Sequence, residues 1–288
     1  MDKHFVDKLG KLLVVLIFPC LIAHRITSSF SFTELYYWWA LPIAAVAFSA
    51  LGLLLGFLFY GFSKDKEGKR EFLCAAAFQN CGYLPMSVIF FMFDGAVRDK
   101  FLIMVFLYII GFDLIMWSFV PIFLSGGTKL KEGFKNIFSP PVVVTIVSLL
   151  WVFFFGKGHV PDIVMDPVAK IGDTAFPLVM IVLGAYLSIY RGHLPEKKTD
   201  VFLVLVVRFL AFPALVLLAM KVFPMDAHLR FFLFLQSIMP VAVSLIIIGA
   251  YTNARNRFLS SVIFYSHLLG IFLIPLWLEI FKCAFKMK

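Results

Sequence analysis

Hydrophobic residues run along this chain in nine blocks, at 11–30, 37–62, 70–93, 100–125, 139–157, 167–190, 199–222, 228–252 and 257–281, with polar and charged residues gathered between them. Each block is close to or above the ~20 residues that a helix needs to cross a bilayer. Two blocks are interrupted in the same way. The third reads CAAAFQNCGYLPMSVIFF, with Gln79, Asn80, Gly82 and Pro85. The eighth reads FFLFLQSIMPVAVSLIII, with Gln236, Ser237 and Pro240. Proline removes a backbone donor and clashes with the carbonyl four residues back, so a helix breaks or kinks there. Backbone freed within a bilayer is tolerated only against protein or a watery cavity. A pair of Gly/Pro-interrupted spans in corresponding halves points to the binding site of a secondary transporter.

Composition agrees with the pattern. Of 288 residues, 62% are hydrophobic and only 15% charged, with a mean hydropathy of +0.96. A soluble domain could not cover so much apolar surface. The fold class expected is therefore an all-α polytopic membrane protein. Cys20, Cys74, Cys81 and Cys283 have no metal-ligand spacing and read as packing thiols; no cofactor or metal is expected. The first apolar block is too long for a cleavable signal and lacks a small-residue cleavage site.

The net charge of +9 reflects loops, not a nucleic-acid footprint. Fifteen lysines and arginines fall on the side that holds the N-terminus, and nine on the other. The positive-inside rule then predicts a cytoplasmic N-terminus and a C-terminus outside. The expected location is the plasma or inner membrane.

The two halves repeat. Phe18-Pro19 matches Phe176-Pro177 at an offset of 158, and Gln79 matches Gln236 at 157. Arg98, Lys100, Phe101, Leu102, Val105 and Tyr108 match Arg255, Arg257, Phe258, Leu259, Val262 and Tyr265, also at 157. Such self-similarity indicates a duplicated unit. The offset spans five blocks, an odd number, so the second copy enters the membrane upside down, as in inverted-repeat transporters. The expected organisation is a first repeat at 1–125, a hinge loop at 126–138 and a second repeat at 139–288. The fifth block's partner would fall just before Met1, giving 4+5 helices of a 5+5 design, with the first helix lost or the start site placed too late.

Asn80-Cys-Gly82-Tyr-Leu-Pro85 resembles the Asn-x-Gly motif and trailing proline of the auxin efflux carrier family, in the short form of its PIN-like plant carriers. Gly172, Ala175, Pro177, Leu178 and Gly184 resemble the pattern opening that family's second repeat. Pro240, Tyr251, Ser261, Ser266 and Pro275 resemble its C-terminal pattern. The resemblance covers nearly the whole chain. It implies a ten-helix fold related to bile acid and sodium–proton exchangers, two broken helices crossing at mid-membrane, and carboxylate or amino-acid-like substrates bound at the crossing.

The candidate substrate-binding residues are Gln79, Asn80, Gly82, Pro85, Gln236, Ser237 and Pro240. Amides offer a carboxylate hydrogen-bond donors without a charge, and half-helix N-termini favour anions. The same amides could instead satisfy freed backbone groups. Asp113, Asp173 and Arg208 are charges at membrane depth and so ion-coupling candidates, with His267 a weaker candidate for a proton relay. Alternatively, Arg208 pairs structurally with one of the two aspartates. No catalytic motif stands out, so an enzyme is not expected. A secondary transporter of a small organic anion fits best; its rival is a non-transporting sensor or truncated remnant on the same fold. Expected partners are the anion, the lipid bilayer, protons and a second copy of the chain in a homodimer, with no nucleic acid.

Overall fold

The computed structural model describes residues 3–63, 67–126, 139–190, 198–252 and 254–286. Each of the nine apolar blocks is helical. The expected hinge lies almost wholly outside the described residues, as do 64–66 and 191–197, with several of the loop cations counted above.

The helices are α1 (Lys3–Leu12), α2 (Phe18–Ser29), α3 (Ala40–Tyr60), α4 (Lys69–Ala77), α5 (Tyr83–Met92), α6 (Gly95–Leu124) and α7 (Pro140–Phe155). They continue as α8 (Asp162–Asp173), α9 (Ala175–Tyr190), α10 (Lys198–Val206), α11 (Phe212–Val222), α12 (Ala227–Ser237), α13 (Ser244–Thr252) and α14 (Asn256–Phe285). Among the described residues, five stretches are long and apolar enough to cross a membrane: α3, α6, α8 with most of α9, α10 with α11, and α14. Large side chains such as Leu54, Phe57, Phe153, Phe154, Phe202, Phe272 and Ile271 point outward. Outside a bilayer they would form an aggregation surface; within one they meet lipid. The chain is an all-α polytopic membrane protein.

Both predicted breaks are present. The third block is α4 and α5, separated by residues 78–82, and the eighth is α12 and α13, separated by 238–243. Pro85 lies in the first turn of α5, where a missing N–H does no harm, while Pro240 lies within the unwound stretch.

Prolines also reshape two helices that look continuous in the sequence. Turns of π-helix, Leu13–Ile17 and Val207–Ala211, join α1 to α2 and α10 to α11. Each precedes a Phe-Pro pair, Phe18-Pro19 and Phe212-Pro213. A widened turn moves backbone away from the proline ring, and such bulges gather at functional sites. Pro213 cannot donate to the Phe209 carbonyl, which instead accepts a 2.7 Å hydrogen bond from Trp277 Nε1.

The chain folds into two compact units that each draw on both halves of the sequence. The first comprises Met1–Ala45, Gly82–Ile115 and Lys135–Ile189. There α2 packs on α7 and α8. Gly172 makes this approach possible, since a Cβ on it would lie 2.7 Å from Leu21 Cα. Arg25 clamps the ends of three helices, donating at 2.9 Å to Asp99 and to Asp173. The second unit comprises Val46–Cys81, Met116–Phe134 and Tyr190–Lys288. In it α10 packs on α14 and α4, and α11 on α12. Gly52 and Gly56, one turn apart on α3, admit Ala77 and Ala76 of α4: added Cβ atoms would meet Ala77 Cα at 2.6 Å and Ala76 Cβ at 2.9 Å. Small residues at this spacing let membrane helices pack backbone to backbone.

Candidate functional site

The two unwound segments pair with each other inside the second unit. Asn80 N–H donates to the Pro240 carbonyl at 2.8 Å, and Ala242 N–H donates to the Phe78 carbonyl at 2.9 Å. Gln79 and Val241 face each other as an antiparallel bridge. Unwinding frees backbone groups that water cannot reach here, and pairing one broken helix with the other satisfies them. The Val241 N–H is taken up by Ser266 Oγ at 3.2 Å. That hydroxyl in turn donates to the Ile263 carbonyl at 3.0 Å.

Side chains complete this arrangement. Pro85 deprives the Cys81 carbonyl of its helical donor, and Gln236 Nε2 donates to it instead, at 3.1 Å. A carbonyl partner fixes the orientation of the amide, because only its nitrogen can donate. Gln236 Oε1 thus lies on the far side, buried and with no hydrogen-bond donor among the described residues. Asn80 Nδ2 lies 3.2 Å from His267 Nε2, and His267 Nδ1 lies 2.9 Å from the Ile263 carbonyl. The carbonyl can only accept, so Nδ1 carries the proton and Nε2 accepts from Asn80. Ser237 Oγ donates back to the Phe234 carbonyl at 2.6 Å within α12. Gln79, Asn80, Gln236, Ser237 and His267 are all buried.

Arg208 sits in the π-helical turn before Phe212-Pro213 and is fully buried. Its Nη2 donates to the Met239 carbonyl at 2.9 Å, in the unwound stretch after α12. Its Nη1 reaches the Ala76 carbonyl, in the last turn of α4, at 3.5 Å. The guanidinium also lies 4.9 Å from the centre of the Phe212 ring. A single cation therefore serves the carbonyl ends of both broken half-helices, where the helix dipoles place partial negative charge.

The remaining candidates belong to the first unit. Gly82 and Pro85 open α5, the half-helix that follows the first break. Gly82 has a φ of −112°, which any residue can adopt, so its conformation does not require glycine. Asp113, half-buried on α6, accepts a 2.8 Å hydrogen bond from Ser139 Oγ at the start of α7. Asp173 ends α8 and is held by Arg25, with its side chain 58% exposed.

The sequence patterns thus lead to Gln79, Asn80, Gln236, Ser237, Pro240 and Arg208 in one buried cluster. They give little weight to His267, the direct partner of Asn80, and none to Trp277 or Arg25. The only trace of Arg25 in the sequence is a charge at the end of an apolar block.

The chain is similar to known membrane transport proteins over most of its length. A family model described as "Membrane transport protein" matches residues 2–133 and again 130–278. An uncharacterized transporter of Methanocaldococcus jannaschii is 22% identical over 281 residues, covering 93% of this chain and 87% of that protein.

Proposed function

Because the chain belongs to the membrane transport protein family, as its likeness to auxin efflux carriers implied, we propose that it is a secondary transporter carrying a small organic anion across the plasma or inner membrane by alternating access. The observation that carries this reading is the pairing of the unwound stretches, 78–82 against 238–243. The second stretch is followed at once by a half-helix N-terminus at Ser244, in the same unit. Such a terminus attracts anions without a fixed positive charge. Gln79, Asn80, Gln236 and Ser237 supply the polar lining. The free acceptor Gln236 Oε1 fits a solute that carries an N–H or O–H donor beside its carboxylate, which is an amino-acid-like anion.

The direct test is uptake of radiolabelled dicarboxylates and acidic amino acids by proteoliposomes holding the purified protein, driven by a pH gradient. Saturable uptake above empty liposomes supports the proposal. No uptake or counterflow of any of these solutes by folded protein would sink it.

Asp113 is the preferred proton carrier, since Asp173 is exposed and tied to Arg25. Asp113→Asn keeps a polar partner for Ser139 but cannot release a proton. It is expected to abolish pH-driven uptake while sparing exchange of solute across the membrane. Equal gradient-driven rates in variant and wild type would remove Asp113 from the coupling path.

The inverted repeat and a C-terminus outside the cell complete the proposal. Cys283, exposed near the end of α14, is a natural probe of that orientation. An impermeant maleimide should label it on intact cells and fail to label Cys283→Ser. Labelling only after lysis would reverse the topology.

A further inference from the structure

A transporter built from broken helices has a recurrent electrostatic difficulty. The half-helices that end at the break point their negative dipole ends and unwound carbonyls into a dry interior, and a bound alkali cation is one way to neutralise them. In this chain those ends are α4 at Ala77 and α12 at Ser237. Arg208 lies against both, at the Ala76 carbonyl (3.5 Å) and the Met239 carbonyl (2.9 Å).

We propose that Arg208 is a built-in cation. Its guanidinium occupies the position at which this architecture would otherwise need a sodium or potassium ion, and so makes the paired breaks independent of alkali cations.

Three features of the residue fit that role. It is fully buried, and a buried ion is retained only where fixed groups compensate its desolvation. Guanidinium remains charged under all physiological conditions, so the compensation is permanent, as a bound ion's would not be. It also projects from a π-helical turn, and the widened turn lies on the same helix as the proline that shapes it. Two carbonyl contacts, from segments separated by 132 and 31 positions in the chain, tie α10, α4 and the stretch after α12 to one charge.

The consequence for transport, that uptake needs no sodium, rests on the transporter reading. The stability experiment does not, so failure of one can be told from failure of the other.

The experiment is thermal unfolding of the purified full chain in detergent, in sodium, potassium or choline chloride at equal ionic strength. Wild-type protein is expected to give the same Tm in all three. Arg208→Gln keeps a hydrogen-bond donor but removes the charge. Its Tm is expected to fall by roughly 10 °C in choline and to rise saturably when sodium, potassium or low guanidinium is added. Arg208→Lys should stay close to wild type and insensitive to the salt.

Saturable stabilisation of wild type by sodium over choline would overturn the proposal, and it can be read even if no variant folds. Arg208→Gln as stable as wild type in choline would overturn it too. So would a loss that none of the small cations reverses, because it would assign Arg208 to packing alone.

Discussion

Asn80→Ala is expected to weaken binding of the transported anion by roughly ten- to a hundredfold, the usual effect of losing one hydrogen bond to a charged group. Asn80 is held in place before any solute arrives. Its backbone N–H is fixed on the Pro240 carbonyl, and its amide nitrogen on His267 Nε2. A donor positioned in this way adds affinity without the entropy of ordering a loose side chain. Gln236→Ala is expected to weaken binding by a similar factor, and it has a second cost. It removes the Nε2 donor that the Cys81 carbonyl accepts from at 3.1 Å. Losing a buried hydrogen bond costs about 0.5–1.5 kcal/mol, so Gln236→Ala should also lower Tm, whereas Asn80→Ala should lower it less. The double variant should lose less affinity than the product of the single losses, since both amides act on one solute. Calorimetric titration with a solute found by the uptake screen, with Tm as control, reads all of this. Wild-type affinity in both single variants would place the solute site elsewhere.

The second large effect is on stability. Gly111, in α6, packs against the start of α3, and an added Cβ would collide with the Pro42 carbonyl oxygen and lie 2.7 Å from the Pro42 carbonyl carbon. These are backbone atoms, so no side chain can swing aside to make room. Gly111→Ala should therefore cost at least about 3 kcal/mol, the upper end of the overpacking range. That corresponds to a fall in Tm of roughly 10 °C. Gly184→Ala is the matched control. It too is a glycine in a helix of the first unit, but no atom of the described residues lies within 4 Å of its Cβ position. Alanine there should be neutral or stabilising by up to ~1 kcal/mol, because it restricts the unfolded chain. Equal Tm values for the two variants would show that the close approach at Gly111 is not maintained in the protein.

The distinction between Gly111 and Gly184 cannot be drawn from the sequence. Both are glycines in apolar helices, and only the neighbour each one meets separates them. By contrast, the nine helical blocks and both breaks are legible along the chain, because their causes are local. Hydrophobic length fixes a span whatever packs around it, and a proline removes its own N–H in any surroundings. Residues 78–82 and 238–243 unwind where Gln79 to Pro85 and Gln236 to Pro240 say they should. The π-helical turns before Phe18-Pro19 and Phe212-Pro213 are less legible, since a proline in an apolar run can equally be absorbed by a simple kink.

What each polar group does was decided by tertiary structure alone. Gln236 finds Cys81 across 155 positions, Asn80 finds His267 across 187, and Arg208 finds Ala76 across 132. An amide, an imidazole or a guanidinium in an apolar helix announces only that it must have a partner, because burying it alone is too costly. The sequence therefore determined where the helices run and where they must fail. The partners came from the folded chain, which brings the freed carbonyls of one break within reach of the side chains of another.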